Sequence, residues 1–94
     1  MYNYRYLKVL VEVKDMTYSD ALIKRLKELT NARNLSINKL SNLAGLTHST
    51  VTDIMNGKNK RPRIDTLSKI ANGLGMTVSE LLDFPEMNEI FEDE

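Results

Sequence analysis

Residues 35–63 read LSINKLSNLAGLTHSTVTDIMNGKNKRPR, and the order of starts and stops in this stretch decides the fold. Ser36 is placed to cap a helix whose apolar stripe is Leu40, Leu43 and Ala44, and Gly45 interrupts that stripe. Glycine tolerates a positive φ, so a sharp turn at Gly45 is the natural reading. Thr47 follows at once as the next N-cap and opens a short helix with Val51, Ile54 and Met55 on its buried side. Asn56 and Gly57, both suited to a left-handed exit, end it. A basic loop containing Pro62 occupies residues 58–63. Ser41 and Ala44 put small side chains just before the bend, which lets the two helices approach closely.

The flanking sequence extends the helical pattern in both directions. Upstream, Leu22, Ile23, Leu26 and Leu29 recur at helical spacing, with Lys24, Lys27 and Glu28 on the other side. Ser19 or Asp20 is the expected N-cap there and Asn34 the expected left-handed stop. Downstream, a fourth helix starts at Ile64 or Asp65, turns Leu67, Ile70 and Ala71 inward, and stops near Gly73 and Gly75. Thr77 or Ser79 starts a fifth with Val78, Leu81 and Leu82. Asp83 and Pro85 read as a fresh N-cap and N1 pair, opening a short acidic helix with Met87, Ile90 and Phe91 on one face. The first 14 residues differ: Tyr2, Tyr4 and Tyr6 share one parity, and Val9, Val11 and Val13 recur at period two with Lys8, Glu12 and Lys14 around them, an alternation that Leu7 and Leu10 weaken. Three readings are open for them: a β-strand exchanged with another copy of the chain, an unstructured lead-in, or an amphipathic helix.

The chain has 94 residues, 41% of them apolar, which is one domain's worth of core. There is no cysteine and one histidine, so a disulfide framework, a thiolate metal site and a cysteine nucleophile are excluded. Apolar runs are only a few residues, far short of the roughly 20 that span a bilayer, and no signal-peptide pattern opens the chain. A cytoplasmic protein without membrane contact is expected. The net charge is zero, but it is polarised. Residues 20–63 hold nine bases against three acids, whereas residues 80–94 hold seven acids and no base. A basic face and an acidic pole on one molecule are compatible with binding a polyanion.

Helix, glycine turn and a second short helix rich in small polar side chains make a helix-turn-helix arrangement. With Val51 and Ile54 beneath, the outward residues of the second helix are His48, Ser49, Thr52 and Asp53. Together they form a polar edge of donors and acceptors on a cylinder whose diameter fits the DNA major groove.

On these residues the resemblance is specific. The segment quoted above, continued by TLSKIANGLGMTVSELL over residues 66–82, resembles the phage-repressor and Cro type of helix-turn-helix domain, also called Xre-like, across residues 20–83. The resemblance implies an all-α, five-helix, lambda-repressor-like fold. It makes residues 47–56 the recognition helix, with His48, Ser49, Thr52 and Asp53 as base readers. Thr47, Thr50, Asn56, Lys39 and the loop bases Lys58, Lys60, Arg61 and Arg63 would contact the DNA backbone. Three departures from the family pattern involve four positions. Ile37 stands where many relatives have a phosphate-touching Gln. Thr30 and Met55 replace an Arg–Glu pair, and their joint absence is coherent because losing one partner would strand a buried charge. Asp53 places an acid at the groove, where it either accepts from a cytosine or adenine amino group or faces water.

Each of these residues also has a plainer reading. His48 alone could be merely solvated, and the cations of the loop could be a solvated charge run. Lys24, Arg25 and Lys27 read first as the ordinary outer face of the first helix. Met87, Ile90 and Phe91 have three destinations: the domain, a dimer interface or a frayed end. No Gly-rich phosphate loop and no nucleophile with a base at recognisable spacing appears, so no enzyme activity, cofactor, metal or small-molecule ligand is expected. The resulting division is an N-terminal extension over residues 1–16, a helix-turn-helix domain over 17–83 and an acidic segment over 84–94. The functional expectation is a sequence-specific regulator of transcription, a repressor binding double-stranded DNA as a homodimer on a palindromic operator. Its rival is an antitoxin-like or adaptor protein that works through protein contacts.

Overall fold

In the computed structural model, residues 16–90 are described, and all their regular structure is helical. Six helices follow in order: α1 Tyr18–Ala32, α2 Ile37–Ala44, α3 His48–Met55, α4 Ile64–Gly73, α5 Val78–Leu82 and α6 Pro85–Glu89. The all-α expectation therefore holds across this region. The strand reading of the first 14 residues lies outside the described residues.

Local side-chain chemistry sets most boundaries. Ser36, Thr47 and Thr77 each accept a hydrogen bond from the backbone N–H three residues on, satisfying one of the amides a helix start leaves unpaired. α1 begins earlier than Ser19 or Asp20 suggests. Its cap is Thr17, whose hydroxyl accepts from the Asp20 N–H at 3.1 Å while the Asp20 carboxylate accepts from the Thr17 N–H at 3.1 Å. Asp20 is thus the far half of a capping box and Ser19 is buried. Asn34, at φ 54°, does take the left-handed stop. At the end of α3 that role falls to Gly57 alone, since Asn56 has φ −99°. α6 also corrects the expected start. Phe84 occupies the cap position with no side-chain cap, Pro85 is N1, and Asp83 instead accepts from the Asn88 side chain at 3.1 Å.

The core forms where these stripes meet. Leu22 and Leu26 of α1, Leu40 of α2, Val51 and Ile54 of α3, Leu67, Ile70 and Ala71 of α4, then Leu74 and Leu81 make one buried cluster. A second cluster of Ala21, Phe84 and Ile90, joined by Met16 and Met87, lays the last helix against α1. Met87 and Ile90 therefore pack on the domain.

One positive-φ turn and one close approach hold α2 in place. Gly45 has φ +69° and reverses the chain between α2 and α3. Gly73 faces the end of α2 so closely that a Cβ there would lie 3.0 Å from the Ala44 nitrogen and 3.2 Å from the Leu43 carbonyl carbon. The close packing expected between α2 and α3 from Ser41 and Ala44 is thus matched by one between α2 and α4. Ser41 is buried, and its hydroxyl donates to the Ile37 carbonyl at 2.7 Å.

Candidate nucleic-acid interface

α3 is anchored from below by Val51 and Ile54, at 0% and 1% exposure, and this fixes which edge it offers to solvent. His48 and Ser49 are exposed in its first turn, and Thr52 and Asp53, one turn on, are half-buried. Spacing of i and i+4 puts these residues on one face. The Thr52 hydroxyl donates to the His48 carbonyl at 2.8 Å and lies 3.5 Å from His48 Nδ1. Toward a ligand Thr52 is therefore an acceptor and a methyl group. Thr47 Oγ1 accepts the Thr50 N–H at 3.2 Å and pairs with the Thr50 hydroxyl at 2.8 Å, so these two threonines close the start of α3.

The basic loop is organised by two asparagines. Asn56 Oδ1 accepts the Lys58 N–H and Asn59 Oδ1 accepts the Arg61 N–H, each at 3.2 Å. These are side-chain-to-backbone turns of the kind asparagine makes two residues ahead. The Asn59 N–H also donates to the Asp53 carbonyl at 2.9 Å, tying the loop back to α3. Sequence reasoning does not place Asn59 in the site. A signal for it exists, because both asparagines stand two residues before a cation.

The cations divide into two sets. Lys58, Lys60 and Arg61 are exposed, and among the described residues they form no ion pair. Arg63 is exposed too, but its Nε pairs with Asp65 at 3.2 Å. Lys39 is exposed in the first turn of α2. Three further bases, Arg25, Arg33 and Lys24, brace helices. Arg25 donates to the carbonyls of Leu81 and Glu80 and lies over the Phe84 ring. Arg33 donates to the Leu74 and Leu29 carbonyls at 3.1 and 3.3 Å. Lys24 pairs with Glu86 at 3.7 Å and Glu28 at 4.0 Å. The plain outer-face reading thus gives way to a bracing role for Arg25 and Lys24.

The positions that depart from the family pattern are satisfied locally. Ile37 packs half-buried against the core. Thr30 is buried, with its hydroxyl donating to the Leu26 carbonyl at 2.8 Å, and Met55 packs against the same core. The missing ion pair therefore strands no charge. Among the described residues there is no group of three His, Asp or Glu side chains placed to hold a metal, and no helix is long and apolar enough to cross a membrane.

Known proteins share this arrangement. The sequence profile of the Cro/C1-type HTH DNA-binding domain matches residues 25–86. Over 63 residues the chain is 38% identical to the HTH-type transcriptional regulator PuuR of Escherichia coli (strain K12), a match covering 67% of this chain and 34% of that protein. It is 34% identical over 59 residues to the uncharacterized HTH-type transcriptional regulator RghRB of Bacillus subtilis (strain 168), covering 63% of this chain and 42% of the relative. The chain thus spans well under half the length of these relatives. Among solved structures, prophage Lp1 protein 11 superposes with a TM-score of 0.68 at 40% identity, over 79% of this chain and 97% of that one. With its profile match covering most of the helical unit described above, this chain belongs to the Cro/C1-type helix-turn-helix DNA-binding domain family.

Proposed function

We propose that this protein is a transcriptional repressor that binds double-stranded DNA sequence-specifically, as a homodimer on a palindromic operator. The observation that carries the reading is the polar edge of α3, exposed at His48 and Ser49, in a helix followed directly by three exposed cations, Lys58, Lys60 and Arg61, that form no ion pair among the described residues. A helix edge of this kind reads bases, and cations fixed next to it position the protein on phosphates. His48 and Ser49 supply donors and acceptors at the start of α3. Thr52, its hydroxyl hydrogen already committed, offers an acceptor or a methyl contact to a thymine, and Asp53 accepts from a cytosine or adenine amino group. Thr47, Thr50, Asn56 and Lys39 add backbone contacts. Arg63, its charge partly offset by Asp65, contributes less than Lys60 or Arg61.

One short helix buries too little surface for tight specific binding, and pairing two copies on two half-sites doubles it. The half-site centres then lie about 34 Å apart, one turn of DNA. Occupying such a site blocks polymerase and needs no chemistry. The likeness to two transcriptional regulators supports a role in transcription. Selection of bound fragments from a random duplex library tests the reading. A palindrome with half-sites one turn apart is expected, and absence of any enriched sequence refutes it.

A further inference from the structure

We propose that Asn59 is a positioning residue that joins the base-reading helix and the phosphate-contacting loop into one rigid unit, a proposal that rests on the DNA-binding reading above. On its main chain, the N–H donates to the Asp53 carbonyl at 2.9 Å, in the last turn of α3. On its side chain, Oδ1 accepts the Arg61 N–H at 3.2 Å. One residue therefore holds the end of α3 with its backbone and the cation-bearing chain with its amide. Asn56 repeats the side-chain bond one step earlier, on the Lys58 N–H.

The tie matters because the cation-bearing stretch of the loop lies outside the core. Lys58, Asn59, Lys60 and Arg61 are all exposed, and none belongs to the buried clusters. Exposed backbone with little apolar packing sits at the low-stability end of a structure. A loop left mobile would lose conformational entropy when DNA orders it. Tied by Asn59, it is ordered beforehand, and the distance from the loop cations to the reading edge is set before DNA arrives. Phosphate contacts then fix the register of α3 in the groove, which links affinity to base discrimination. Random DNA, which needs only neutralised phosphates, does not depend on that register.

The test compares Asn59→Ala and Asn59→Ser in the full chain. Asn59 is exposed, so neither change opens the core. Two quantities are measured: backbone order parameters of Lys60 and Arg61 without DNA, and binding to the library-selected duplex against a random-sequence duplex. Asn59→Ala is expected to lower both order parameters and to weaken the selected duplex about tenfold while changing the random duplex less than about twofold. Asn59→Ser, whose hydroxyl makes the same turn more weakly, is expected to restore most of both effects. Lys60→Ala, by contrast, weakens both duplexes alike. An unchanged ratio between duplexes in Asn59→Ala overturns the proposal. So does a serine variant that keeps the order parameters but binds as poorly as alanine, because that pattern means direct DNA contact. If the unaltered chain binds no duplex, the DNA-binding reading itself falls; if it binds and only the variant ratio fails to move, this proposal falls alone.

Discussion

The guanidinium of Arg25 lies 5.0 Å over the ring of Phe84, and it makes two further bonds from that position. Its Nε donates to the Leu81 carbonyl at 3.1 Å and its Nη2 to the Glu80 carbonyl at 3.0 Å. Carbonyls at the end of a helix lack partners within it, and α5 has only five residues. Arg25 therefore ends α5 from across the fold and clamps α1 to the segment leading into α6.

Replacing Arg25 with Ala is expected to lower stability by about 1–2 kcal/mol, the scale of a cation–π interaction plus hydrogen bonds to a charged donor. Lys should recover little, because an ammonium cannot reproduce the planar fork. Thermal unfolding of the two variants checks this, with a fall in midpoint of roughly 4–8 °C per kcal/mol for a domain of this size.

Gly73→Ala tests the approach of α2 to α4. Within a helix this change ordinarily stabilises by about 0.5–1 kcal/mol. Here the new methyl would meet backbone atoms of Leu43 and Ala44 at 3.0–3.2 Å, and backbone cannot swing aside as a side chain can. A net loss of about 1–3 kcal/mol is expected in denaturant unfolding. A gain would mean that α2 is not held where the fold puts it.

Glu80 gives the fold a definite acid response. Its carboxylate accepts the Thr77 N–H at 2.9 Å, and this bond, with a smaller contribution from the Thr77 side chain, holds the carboxyl below its ordinary range. A folded-state value below the unfolded one means the contribution is complete above the unfolded value and is lost as pH falls through the depressed folded value. Glu80→Gln keeps an acceptor for the cap but does not titrate. Its stability against pH should therefore fall less steeply in that acid window than that of the unaltered chain.

How much of the structure is legible in the sequence depends on how far the causes lie apart along the chain. Ser36, Gly45 and Thr47 can be read directly because a cap or a reversal is written within three or four residues, and the choice between Thr77 and Ser79 falls to Thr77, which makes a capping box with Glu80. The start of α1 is ambiguous because Thr17, Ser19 and Asp20 are all capping residue types, and only Thr17 with Asp20 has the spacing of a capping box. Asp83 misleads for a similar reason, its carboxylate being taken by Asn88 rather than by a backbone amide. Arg25 and Arg33 look like surface charge because their distant acceptors are backbone carbonyls 41 to 56 residues away, and carbonyls carry no sequence signal. The polar edge of α3 follows from periodicity, and the Asn59 side-chain turn has a local signal, whereas the Asn59 N–H bond back to the Asp53 carbonyl becomes evident only in three dimensions.

The division of labour between helix and loop is tested most directly by the salt dependence of binding for His48→Ala, Ser49→Ala, Lys60→Ala and Arg61→Ala. Each variant is measured on the selected duplex and on duplexes carrying single base changes. Lys60→Ala and Arg61→Ala should weaken every duplex alike and reduce the slope of log affinity against log salt by about 0.9 for each phosphate left without its cation. His48→Ala and Ser49→Ala should leave that slope in place and change which base is preferred. Loop variants that shift base preference at constant slope, or helix variants that flatten the slope without touching preference, would contradict the account.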